Sequence, residues 1–204
     1  AEILKNVNNS VLWLLEENIT FVKNIKKEFK KKNIDPNRII FAKKIVDLGV
    51  FLSRNKLANL FLDTMPYGAH KTFNDALWSG LPVITKIGQT FASRVGASLL
   101  NAVDLPELIT ETDEDYKNLA IELGLNPEKI SKIKLKLENN KLNKPLFNTK
   151  LFTKNIESAY TEIYKKHISN LPITNIELKN YWIIAWAFSS DFDPETLSMS
   201  VHST

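Results

Sequence analysis

The residues whose types and spacing could do chemistry are gathered between Asn59 and Ser98. An apolar run (Leu60-Phe61-Leu62) ends in Asp63-Thr64, a Pro-Tyr-Gly-Ala turn follows, and His70 to Ser79 has helical character. A second apolar run, Pro82 to Thr85, leads through a Gly88 turn into another helix, and the whole stretch holds four of the chain's six glycines. This order of strand, loop, helix, strand, turn and helix sets a helix N-terminus just beyond a strand end. Backbone N–H groups and the positive end of the helix dipole converge there, which suits a phosphate or a carboxylate. Taken singly, the side chains leave alternatives open. His70 serves equally as a helix cap or a packed polar residue, Asp75 as a plain first-turn carboxylate, and Lys71 as a solvated cation. Leu77 and Trp78 are expected in the core, and Gly80 is expected to stop the helix.

The elements that must hold this junction follow from the apolar pattern. Ser10 to Leu15, Arg38 to Ala42, Asn59 to Asp63 and Pro82 to Thr85 are short, nearly continuous apolar runs of buried-strand type. Between them, Ile19 to Lys32 carries Ile19, Val22, Ile25 and Phe29 at helical spacing, and Leu48 to Lys56 is a short helix after a Lys43–Asp47 loop. Strands alternating with helices predict a Rossmann-like α/β fold, a parallel sheet covered by helices on both faces. Beyond Ser98, Leu105 to Ile109 is expected as a last strand, and Asp113 to Leu123 as a helix stopped by a left-handed Gly124. A helix from Pro127 to about Asn139 and an amphipathic one from Thr153 to His167, with Ile156, Tyr160 and Ile163 on one side, complete the pattern. Residues 1–167 are thus expected as one domain and 168–204 as an irregular tail, in which Asn180 to Phe192 forms an apolar patch.

Composition narrows the function classes. The 204 residues are 44% hydrophobic and 25% charged, ordinary for a globular chain, and with no cysteine there is neither a disulfide framework nor a thiolate nucleophile. The formal net charge is +4, and six lysines fall between Lys23 and Lys32 with a single aromatic, Phe29, on the helix's apolar stripe, so they predict a solvated helix face and no nucleic-acid partner. No apolar run approaches the ~20 residues of a membrane span and no signal peptide is visible, so no membrane partner and a cytoplasmic setting are expected. The chain opens at Ala1 inside a helical pattern, the expectation for a piece of something longer.

With these elements set out, Asp63-Thr64, His70-x-Thr72-x-x-Asp75-Ala76-Leu77-Trp78-x-Gly80-x-Pro82-Val83-x-Thr85 and Gly88-x-Thr90-x-Ala92-x-Arg94-Val95 resemble the catalytic region of O-GlcNAc transferases, including the SPINDLY-type relatives. NSVLWLL (9–15), NRIIF (37–41), LANLFLD (57–63) and PLFNTK (145–150) extend the resemblance over roughly residues 1–167. It implies the C-terminal, nucleotide-sugar-binding half of a GT-B glycosyltransferase that moves a sugar, N-acetylglucosamine from UDP-GlcNAc first among the candidates, onto protein Ser or Thr hydroxyls. It also implies metal-independent chemistry with no cofactor beyond the donor, and TPR repeats and an N-terminal GT-B half upstream. Carried over by position, it assigns diphosphate contacts to His70, Lys71 and Thr72, the ribose hydroxyls to Asp75, the uracil to Arg54, and the pocket lining to Leu15. It likewise assigns the backbone of the segment Lys43 to Val46, which holds Ile45, to bracketing the base.

The same resemblance exposes departures. Relatives commonly carry two threonines after the histidine, where this chain has Lys71 and Thr72. They also place a lysine and a histidine where Leu48 and Phe51 stand; Phe51 can stack on a base, but Leu48 cannot replace an ammonium. The resemblance sets the proposed catalytic base and the first, central strand upstream of Ala1, so this chain alone is expected to be inactive. The gap between Val11–Leu15 and Leu60–Asp63 is expected to close by collapse or to be filled by Trp182 to Phe188. Two functions follow: the donor-binding part of a protein O-glycosyltransferase, or a catalytically incompetent nucleotide-diphosphate-binding or interaction module on the same fold.

Overall fold

The computed structural model describes residues 1–177 and 198–199. In chain order the elements are α1 (Glu2–Asn6), β1 (Leu12–Leu15), α2 (Ile19–Lys31), β2 (Ile39–Ala42), α3 (Leu48–Asn55), β3 (Phe61–Leu62), α4 (Lys71–Trp78) and β4 (Val83–Lys86). They continue with α5 (Phe91–Ala102), β5 (Ile109–Thr110), α6 (Asp113–Leu125), α7 (Pro127–Asn143), α8 (Thr149–Ile168), β6 (Ile176–Glu177) and β7 (Ser198–Met199). Most helix starts are set by short polar side chains. Asn18, Asp47, Thr112, Asn126 and Asn148 each accept a first-turn amide of α2, α3, α6, α7 and α8, and the Thr90 amide donates to Ser93 Oγ at the start of α5.

The strands are parallel from β1 to β5, and the fold is Rossmann-like. β1 pairs with β2 in the register Leu12↔Ile39 to Leu15↔Ala42, while β3, β4 and β5 form a second ladder through Phe61↔Val83 and Thr85↔Ile109. The resulting order, β2-β1 and then β3-β4-β5, is that of positions 3-2 and 4-5-6 in a doubly wound sheet. β1 and β3 do not pair, so collapse has not joined the two ladders; Trp182 to Phe188 lies outside the described residues. β6 pairs antiparallel with β7.

Burial is uneven. The main core lies around β4, where Val83, Ile84 and Thr85 are buried among Phe73 and Leu77 of α4, Leu99 and Leu100 of α5, and Leu123 and Leu137 of α6 and α7. The β1–β2 ladder rests on a smaller cluster of Leu4, Ile34 and Ile39, and Leu15 and Ile40 stay substantially exposed. Coverage on both faces therefore holds for the β3–β5 half and not for β1–β2. On α2, Val22, Ile25 and Phe29 are half-buried while Ile19 is exposed, because the stripe meets only the two-strand ladder.

Four local expectations are corrected. Trp78 is 49% exposed: Phe73, Ala76 and Leu77 occupy the inner face of α4, and the indole flanks it, edge-on to Phe147 at 5.0 Å with Lys141 Nζ over its ring. The left-handed stop is at Gly80 (φ 80°), whereas Gly124 continues α6, where a Cβ would press within 2.9 Å of Val7. Leu105 to Ile109 gives a 3-10 turn at Pro106–Leu108 and only then β5, since Pro106 has no N–H for a ladder. On α8, Asn155 and Ala159 form the inner face with Ile156 and Ile163, and Tyr160 is exposed. Among the described residues no helix is long and apolar enough to cross a membrane.

Candidate nucleotide site at the strand ends

The residues marked out by the sequence follow the carboxyl ends of β1, β2 and β3, the edge at which open parallel sheets bind ligands. They fall into two groups. The first contains Leu15 at the end of β1, the 43–47 loop after β2, and Phe51 and Arg54 on α3. Arg54 ties it together: Nη1 donates to the Lys43 carbonyl oxygen at 2.7 Å, and the guanidinium lies 5.1 Å from the Trp13 ring centroid and 5.8 Å from that of Phe51. Arg54 thus latches the loop containing the half-buried Ile45, while its buried Nε has no hydrogen-bond partner. Leu48 is apolar and 55% exposed.

The second group sits at the start of α4. His70 occupies the cap position but makes no side-chain cap bond, so the first-turn amides of α4 lack the closure that side chains give α2, α3, α6, α7 and α8. The imidazole is stacked on Tyr67 (5.1 Å, 22°) and meets Phe91 edge-on (5.7 Å), and its buried Nε2 is unpartnered. Thr72 is exposed beside it. Lys71 Nζ donates to Asp75 Oδ2 at 2.7 Å. Packing of α3 on α4, with an Asn55–Ser79 contact, links the two groups.

Asp63 fixes the loop between β3 and α4, a role that sequence reasoning missed. Only 4% exposed, its carboxylate accepts from the Thr64 and Ala69 amides at 2.9 and 2.7 Å and from Thr85 Oγ1 at 2.7 Å. Tyr116 OH donates to the Asp63 carbonyl at 2.8 Å. Burial pushes the Asp63 carboxyl above its ordinary range, against the three hydrogen bonds and the nearby His70. Burial, then the Asp63 charge, raises Tyr116 as well. Gly96 admits this packing, because a Cβ there would lie 2.7 Å from Phe73 Cε2 and 3.1 Å from Asp63 Oδ2. The available signal was an Asp at the end of a parallel strand followed by a proline–glycine turn.

Three of the four buried polar side-chain atoms without partners among the described residues belong to this region: Arg54 Nε, His70 Nε2 and Asn74 Oδ1. Such atoms are uncommon in folded proteins. They lie on α3, at the uncapped start of α4 and within its first turns. Among the described residues no group of three His, Asp or Glu side chains is placed to hold a metal ion.

The chain is 31% identical over 175 residues to a Caenorhabditis elegans UDP-N-acetylglucosamine–peptide N-acetylglucosaminyltransferase, covering 86% of this chain and 15% of that protein. It is 33% identical over 170 residues to the SEC protein of Arabidopsis thaliana, covering 83% and 17%. It therefore spans less than a fifth of these relatives. A mutant O-GlcNAc transferase of Thermobaculum terrenum shares the fold with a TM-score of 0.77 at 23% identity, over 83% of this chain and 33% of that one. Glycosyl transferase family 41 matches residues 1–156, and the chain belongs to that family.

Proposed function

We propose that this chain is the donor-binding part of a protein O-glycosyltransferase that moves N-acetylglucosamine from UDP-GlcNAc to Ser or Thr hydroxyls of proteins. The observation that carries this reading is the start of α4, uncapped and flanked by unpartnered buried His70 Nε2, Asn74 Oδ1 and Arg54 Nε. The diphosphate lies against His70, Lys71 and Thr72, where amides, a hydroxyl and an ammonium neutralise the charge that grows on the leaving group. Asp75 accepts from the ribose hydroxyls. The base lies between the Ile45 loop, Phe51 and Leu15, with Arg54 holding that loop in place. Residues 1–167 form the binding unit, and no metal or other cofactor takes part. The acceptor proteins meet a cleft completed by an N-terminal GT-B half and TPR repeats of the longer protein.

One observation favours a second reading, a nucleotide-diphosphate-binding module without catalysis. Leu48 puts an exposed apolar side chain where relatives carry a phosphate-neutralising lysine. Calorimetric titration of UDP and GDP separately tests the shared part. UDP-selective heat is expected, with affinity falling about tenfold or more in Asp75→Ala, the loss of hydrogen bonds to a charged group. No heat from either nucleotide on folded protein contradicts the donor site. Sugar release from UDP-GlcNAc by the full-length protein, or its absence despite binding, separates the two readings.

A further inference from the structure

Lys71 and Asp75 form an i,i+4 pair with very different surroundings: the lysine side chain is 78% exposed and the aspartate 18%. The ammonium stands on the first residue of α4, where the positive end of the helix dipole disfavours it, and it leans back one turn to reach the carboxylate at 2.7 Å. An i,i+4 ion pair on a helix surface shifts an equilibrium by only about twofold, and with its ammonium in solvent this one is readily exchanged. The bond also covers one oxygen of the carboxylate that the proposed function assigns to the ribose. Both ends of the pair therefore have a better partner in a single ligand, one that carries phosphates beside a hydroxylated ring.

We propose that Lys71 is an exchangeable counter-ion, neutralising Asp75 in the free protein and moving to the phosphates when a nucleoside diphosphate binds, which leaves the carboxylate to the sugar hydroxyls. The inference rests on the nucleotide-site reading and adds a direction to each half of the ligand. Phosphates draw the ammonium out; a nucleoside without phosphates must compete with it.

UDP and uridine, titrated calorimetrically into wild type and Lys71→Met, test this. The methionine keeps the apolar stem and removes the charge at an exposed position, so folding is retained. UDP affinity is expected to fall about three- to tenfold, while uridine affinity rises about twofold because Asp75 is released. In an Asp75→Asn background the uridine gain is expected to vanish. Weaker UDP binding with uridine unchanged or weaker makes Lys71 a fixed contact and overturns the exchange, while the nucleotide site stands. Unchanged UDP binding overturns it equally. If wild type binds no UDP, the nucleotide reading fails and the exchange fails with it.

Discussion

Truncating Phe73 to alanine is expected to destabilise the protein by about 3–5 kcal/mol, the range for a fully buried aromatic. Its ring has no exposed surface and stands in the first turn of α4, directly behind the residues assigned to the diphosphate. The ring edge lies so close to Gly96 that a methyl there would be 2.7 Å away, so few neighbouring atoms can move in to fill the cavity. Loss of the ring also frees the first turn to shift, and nucleotide affinity is expected to fall with stability. Phe73→Leu, which keeps most of the volume, should cost less than about 2 kcal/mol and retain binding. Urea unfolding of both variants measures the difference. Equal, small losses would contradict the role given to this ring.

Replacing Asp63 by alanine is the second large effect, about 2–4 kcal/mol. The amides of Thr64 and Ala69 and the Thr85 hydroxyl lose their acceptor together, and buried donors without partners cost roughly 1–3 kcal/mol each. Relief of the burial penalty on the carboxylate offsets part of that sum. The carboxyl also sets a pH dependence. Its folded-state pKa is raised above 3.8, so the folded state binds the proton more tightly than the unfolded chain does. The contribution is therefore fully present below 3.8 and is lost as pH rises through the raised value. The stability of wild type relative to Asp63→Asn should decline across that window and level off above it, as read from denaturation curves at stepped pH. A flat or rising difference would remove the burial argument.

Much of this fold was legible because its signals are local. The apolar runs Ser10 to Leu15, Arg38 to Ala42 and Pro82 to Thr85 hold the parallel strands β1, β2 and β4, and the helical spacing of Ile19 to Lys32 became α2. What escaped depends on distant partners. Gly124 has the residue type of a helix stop, but Val7, more than a hundred positions away, packs against it inside a continuing helix. Trp78 has the composition of a core residue, yet α4 turns it to the flank. Parallel pairing likewise cannot tell a covered ladder from the half-exposed β1–β2 one.

The site divides in the same way. The strand–turn–helix junction after β3 could be read from Asp63-Thr64, the proline–glycine turn and the helix that follows. The Asp63 network could not, since its partners Thr85 and Tyr116 come from β4 and α6. Nor could the latch of Arg54 on Trp13 and Lys43, whose partners come from β1 and from the loop after β2. The Lys71–Asp75 pair is visible as i,i+4 spacing; its consequence for the ligand appears only once the unequal exposure of the two side chains is known.

The central claim, that a nucleoside diphosphate binds where α4 begins, is tested most directly by amide NMR during titration with UDP. The largest shifts are predicted at Lys71, Thr72 and Phe73, where the backbone N–H groups meet the phosphates, with smaller ones in the 43–47 loop and at Arg54. Shifts confined to other surfaces, such as the lysine-rich face of α2, or none at saturating UDP, would contradict it.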